Sequence, residues 1–188
     1  MINDLNKTNK LKSNSRRRTS PTSRTSPTSR TNRQELVYRV IKISRVSKVT
    51  KGGKKLSFRA ILVVGDQNGK VGIGVAKAND VGNAFQKAKT NGQKNLIQFP
   101  ITKSSSIPHN VTANFGACKI IMRPSIEGSG VIAGGAVRIV LEAAGVKNVI
   151  AKQLGSNNLL NNARASICAL QNLTTKFQIL KKRTLNSK

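Results

Sequence analysis

RVSKVTKGGKKLSFRAILVVG, residues 45–65, holds the pattern that decides the fold. Leu56, Phe58, Ala60, Leu62 and Val64 alternate with Ser57, Arg59, Ile61 and Val63. Successive side chains of a strand point to opposite faces, so this period of two predicts a β-strand with one face on a core. Working back, Gly52 and Gly53 supply a turn, and LVYRVIKISRVS, rich in β-branched residues from Leu36, supplies the preceding strand. The tip of this hairpin sets Lys48, Lys51, Lys54 and Lys55 around the two glycines. Charges of one sign so close together repel, so the tip either meets something negative or is a solvated end.

Working forward, GDQNGK places Asn68-Gly69 in a turn, and VGIGV follows as a third strand. Asp80 is expected to cap a helix whose Val81, Ala84, Phe85 and Ala88 form one stripe, and Asn91-Gly92 to weaken that helix before Leu96. The result is a small sheet crossed by one helix, ending near Phe99. The Ser-rich, Pro-punctuated ITKSSSIPHN reads as a linker, and His109 within it as a polar loop residue. Beyond it CKIIM reads as a strand, RPSIEGSG as a loop, and Val137, Val140, Leu141 and Ala144 as the stripe of a helix closed by Gly145. VKNVIAKQL is a further strand. Asn157 or Asn158 then caps a helix with Leu160, Ala163, Ile167 and Leu170 on one face. Strand, helix, strand, helix implies an α/β layer separate from the first sheet.

The fold class is therefore α+β in two domains. Residues 35–99 form an N-terminal β-β-β-α domain, 100–109 a linker, 110–176 a C-terminal two-layer α/β domain and 177–188 a basic tail. Residues 1–34 carry the repeat RTSPTS and almost no large apolar side chains, which predicts a disordered basic arm. A solvated tail without a role and an organelle transit peptide are the alternatives for that arm.

Composition narrows the function. The 188 residues include 34 Lys and Arg against 6 Asp and Glu, a formal charge of +28 that opposes compaction unless a polyanion offsets it. Cys118 and Cys168 lie far apart with one His in the chain, so neither a metal site nor a disulfide is expected. No apolar run is long enough to span a membrane.

Catalysis has no visible carrier. Gly128, Gly130 and Ala133 match the glycine spacing of a dinucleotide loop, yet the acid that should follow about 20 residues later to hold a ribose is absent. The loop could still cradle a phosphate on its amides. A Walker loop is missing, because Gly69-Lys70 is followed by Val71. The acids Asp4, Glu35, Asp66, Asp80, Glu127 and Glu142 make no pair at a telling spacing. A phosphate backbone suits the hairpin instead: Lys and Arg give charge, while Ser and bare amides give directional hydrogen bonds. With 3% aromatics the chain is poorly equipped to stack on splayed bases, which favours reading the shape of folded RNA.

RVSKVTKGGKKLSFRAILVVGDQNGKVGIGVAKANDV and PSIEGSGVIAGGAVRIVLEAAGVKNVIAKQLGSNNLLNNARASICAL, in that order, resemble the family of small-subunit ribosomal protein five, of bacterial and plastid type. The resemblance covers residues 35–173 and leaves out the arm and the last residues. It implies a double-stranded-RNA-binding-like first domain, a C-terminal domain of a type shared with some small-molecule kinases, no enzymatic activity and no cofactor. It implies small-subunit rRNA as the partner, ribosomal proteins four and eight as neighbours with protein three nearby, contact with incoming messenger RNA, and a role in assembly and decoding accuracy.

By the same resemblance, Arg45, Val46, Ser47, Lys48, Lys51, Gly52 and Gly53 match the family's rRNA-contacting loop, to which the charge pattern adds Lys54, Lys55 and Arg59. Gly130 and Arg138 match positions at the contact with protein four. Leu159 departs from the family, which usually has Pro at the first turn of the last helix. LGSNNLLNNARASICAL and LSFRAILVVG are most similar to plastid-encoded members, so the plastid stroma is the expected location, ahead of a bacterial cytoplasm and mitochondria. A free double-stranded-RNA-binding protein and a nucleotide-dependent small-molecule kinase are the alternatives. The kinase reading needs a carboxylate near residues 128–135, where Glu127 stands without a partner.

Overall fold

The computed structural model describes residues 36–186, so the arm expected over residues 1–34 lies outside them. β1 (Val37–Thr50), β2 (Gly53–Gly65), β3 (Lys70–Ala78) and the two-residue β4 (Ile97–Gln98) form an antiparallel sheet in the order β1-β2-β3-β4. Helix α1 (Val81–Lys94) packs Ala84 and Ala88 against Ala60 and Leu62 on one face of it.

The helix comes close because β3 offers it glycine. A Cβ on Gly74 would lie 1.8 Å from the Ala88 carbonyl oxygen, and one on Gly72 2.6 Å from that of Gly92. The weak point expected at Asn91-Gly92 is thus a contact. α1 runs through to Lys94, and a Cβ at Gly92 would meet Val64 Cγ2 at 2.6 Å. Glycine costs an isolated helix about 1 kcal/mol; close packing on the sheet outweighs that here. The cap expected of Asp80 is absent as well. Its carboxylate accepts from Asn83 Nδ2 at 3.1 Å and from no backbone amide of the first turn.

The one-sided alternation read in β2 applies only to its first half. Ala60, Leu62, Val63 and Val64 have no exposed surface and Ile61 has 5%. Two different bodies cover the two faces: Leu62 lies under α1, while Val63 joins Val71 in the core of the second layer.

That layer comprises β5 (Val111–Phe115), β6 (Cys118–Pro124), β7 (Val131–Ile132), α2 (Gly135–Ala144), β8 (Val149–Leu154) and α3 (Leu159–Gln171). Its sheet runs β5-β6-β8-β7, antiparallel except for the β7–β8 pair. Val137, Val140, Leu141, Ala163 and Leu170 of the two helices bury against Ile120 and Met122. Strand, helix, strand, helix is therefore correct but incomplete, since β5 and β7 are added. α4 (Lys176–Asn186) occupies the segment read only as a basic tail. Asn158 is the cap of α3, its Oδ1 accepting from the Leu160 amide at 3.1 Å. Gly145 closes α2 in the left-handed conformation, φ +87°.

The Ser-rich stretch before β5 is pinned. Ser106 Oγ donates to the Asn148 carbonyl, Asn148 Nδ2 donates to the Ser104 carbonyl at 2.8 Å, and Ile107 is buried. His109 Nε2 accepts from the Thr174 amide at 3.2 Å, a structural role for that ring.

The two layers share a seam at the β2–β3 turn. Asp66 Oδ1 shapes this turn by accepting from the amides of Asn68 at 2.8 Å and Lys70 at 2.9 Å. The shaped turn then donates from Gln67 N to Ala143 O at 3.2 Å and from Gly69 N to Ala144 O at 3.1 Å. These are carbonyls that the end of a helix cannot satisfy by itself. Both sides are glycine at the closest point: a Cβ on Gly65 would sit 2.0 Å from Ala143 O, and one on Gly145 1.9 Å from Gln67 O.

Candidate nucleic-acid interface

The residues that the sequence assigns to RNA all fall on the β1–β2 hairpin. Arg45, Ser47, Lys48, Lys51, Gly52, Gly53, Lys54 and Lys55 are exposed, and Arg59 is half-buried near the base. Thr50 Oγ1 donates to Gly53 O at 3.0 Å across the turn, and Gly53 holds φ +137°, a conformation that favours glycine. A Cβ at either glycine would meet nothing within 4 Å, so the tip leaves its backbone open to an approaching ligand.

Register divides these residues into two faces. Arg45 pairs with Phe58, Ser47 with Leu56 and Val49 with Lys54. These share the side on which Ala60 and Leu62 meet α1. Lys48 pairs with Lys55 and Ser44 with Arg59 on the opposite side, which lower down holds Val63. Two lysines directly opposite each other destabilise an antiparallel pair. Among the described residues the one ion pair is Arg138 Nε with Glu142 Oε1 at 3.5 Å, far along the chain from this hairpin. Sequence reasoning passed over Lys42, which pairs with Ile61, and Lys77, which pairs with Arg59 from β3. Both lie on the Lys48 side, and only strand register reveals it.

In the glycine loop of residues 126–135 two backbone amides are committed to the fold. Gly128 N donates to Asn148 Oδ1 at 3.1 Å and Ser129 N to Ile126 O at 3.3 Å. β7 is interposed before α2 begins. Gly130, at φ +72°, sits in this loop with open space where a Cβ would be, and Arg138 is exposed on α2. Among the described residues no group of three His, Cys, Asp or Glu could hold a metal, and no helix is long and apolar enough to cross a membrane. Cys118 and Cys168 are free thiols.

A profile for the N-terminal domain of ribosomal protein S5 matches residues 36–100, and one for its C-terminal domain matches residues 113–183. The chain belongs to the ribosomal protein S5 family. It is 75% identical over 186 residues to the small ribosomal subunit protein uS5c of Phaeodactylum tricornutum, covering 99% of this chain and 100% of that one. It is 77% identical over 138 residues to uS5c of Trieres chinensis, covering 73% and 75% of the two chains. A uS5 protein of Nostoc punctiforme is 61% identical over 133 residues, covering 71% and 76%. The two S5 profiles meet on either side of the pinned Ser-rich stretch, so the hairpin belongs to one S5 domain and the glycine loop to the other. S5 proteins are structural and not enzymes.

Proposed function

We propose that the β1–β2 hairpin is the surface by which this chain grips small-subunit rRNA. As an S5 protein the chain is a structural constituent of the small ribosomal subunit, and its plastid-type relatives put it in the plastid ribosome. The observation that carries the hairpin reading is the opposed Lys48–Lys55 pair beside an open Gly52-Gly53 turn, with no acid on the hairpin. Such an arrangement is unfavourable alone and favourable once phosphates replace its counterions.

In this reading Arg45, Ser47, Lys48, Lys51, Gly52, Gly53, Lys54, Lys55 and Arg59 meet RNA, and Gly130 and Arg138 meet ribosomal protein four, with proteins eight and three and incoming messenger RNA close by. Residues 35–99 act as the RNA-binding domain and 110–176 as the protein-facing one, joined by residues 100–109 and followed by the basic segment 177–188. The exposure of Arg138, fixed by Glu142 at 3.5 Å, and the open space at Gly130 support a protein contact there. Replacing Lys48, Lys51 and Lys54 together by Ala tests the hairpin. The slope of log affinity for small-subunit rRNA against log salt should flatten by roughly 2–3, since each phosphate contact contributes close to one. An unchanged slope removes the hairpin from the interface.

A further inference from the structure

We infer that one face of the sheet, and not the hairpin tip alone, carries the RNA backbone, leading it from the tip into a cleft between the two layers; this rests on the hairpin reading above. The rows of that face follow from register. Lys48 stands beside Lys55; two rows down Ser44 stands beside Arg59, which stands beside Lys77; one row further Lys42 stands beside Ile61. The rows of this face from Lys48 to Lys42 therefore hold five cations over a run of about 20 Å, the rows repeating every two residues. The four acids among the described residues, Asp66, Asp80, Glu127 and Glu142, all lie outside these rows. The opposite face of the hairpin carries only Arg45 and Lys54, interleaved with Val49, Leu56 and Phe58, and α1 covers its base. Charge thus selects one face.

At its lower end this face runs into a cleft of about 560 Å³. Lys42, Ser44 and Arg59 form one wall, and residues 157–160 of the second layer form the other. Ser44 and Asn157 offer neutral hydrogen-bonding groups between the cations, the mixture that a phosphodiester and its 2′-hydroxyl require. A backbone strand following the cations is held by both layers at once, which the tip by itself could not achieve. Lys42, Ser44, Lys77 and Asn157 join the interface on this reasoning.

The test uses the full chain and small-subunit rRNA transcribed in vitro. Lys42→Gln with Lys77→Gln should lower the salt slope by about 2, and Lys87→Gln with Lys94→Gln, equally exposed but on α1, by less than half of that. Asn157→Trp, which narrows the cleft without changing charge, should weaken binding at least tenfold. Equal effects of the two lysine pairs, or unchanged binding with Trp at 157, overturn the inference. If the Lys42/Lys77 chain keeps its slope while the Lys48/Lys51/Lys54 chain loses it, the cleft path falls and the hairpin reading stands. If neither slope moves, both fall.

Discussion

Replacing Gly145 by Ala, with Gly128→Ala as its partner experiment, isolates the energy of the seam between the layers. The two glycines have nearly the same backbone, φ +87° and +86°, and differ in what surrounds them. A Cβ at Gly128 meets nothing within 4 Å, so Ala there incurs only the left-handed conformation, about 1–2 kcal/mol. A Cβ at Gly145 would lie 1.9 Å from Gln67 O, and must retreat by about 1.5 Å before ordinary contact at 3.4 Å is reached. Because Gln67 is backbone-bonded to Ala143, that retreat breaks the Gln67–Ala143 and Gly69–Ala144 hydrogen bonds together. At roughly 0.5–1.5 kcal/mol each, their loss adds about 1–3 kcal/mol to the conformational cost. Gly145→Ala should therefore destabilise by about 2–5 kcal/mol, and Gly128→Ala by about 1–2. For a chain of this size each kcal/mol lowers Tm by about 2–4 °C. Urea and thermal unfolding followed by circular dichroism measure both variants. Equal losses would show that the seam contributes nothing beyond backbone strain and would refute the reasoning.

Three other outcomes follow from the same geometry. Gly74→Ala should lower urea stability by at least about 2 kcal/mol, because its Cβ would fall 1.8 Å from a carbonyl oxygen of α1 that cannot rotate away; a gain in stability would count against the packing of α1. Asn158→Ala should cost about 0.5–2 kcal/mol through loss of the cap on α3, and Asn158→Ser should restore most of it. Arg138→Leu, on the proposed contact with protein four, should alter misreading in a plastid translation reporter while leaving the melting curve within 2 °C or so, because an exposed i,i+4 ion pair is worth under about 1 kcal/mol; unchanged misreading would remove Arg138 from that contact.

What could be read from the chain alone follows from which interactions are local. The hairpin, the stripe of α2 and its closure at Gly145 rest on period and turn chemistry, which neighbouring residues carry among themselves. Gly72, Gly74 and Gly92 could not be interpreted that way: each is explained by an atom elsewhere in the chain or across the sheet, and propensity scores such residues as weaknesses. The burial of Ile61 and Val63 had the same origin, since a second body covers a face that alternation alone would leave to solvent. β4 and β7, at two residues each, are too short for any period to register. In the candidate interface the lysines of the tip were legible from charge density, whereas Lys42 and Lys77 became visible only when strand pairing put them on the same face as Lys48.

The seam at the β2–β3 turn bears on how the protein is made. A fragment ending at residue 99 would keep its sheet yet expose Val63 and Val71 and strand the amides of Gln67 and Gly69. One starting at residue 110 would leave the final carbonyls of α2 with water alone. Each half completes these bonds only through the other, so during synthesis the seam closes after the second half has emerged.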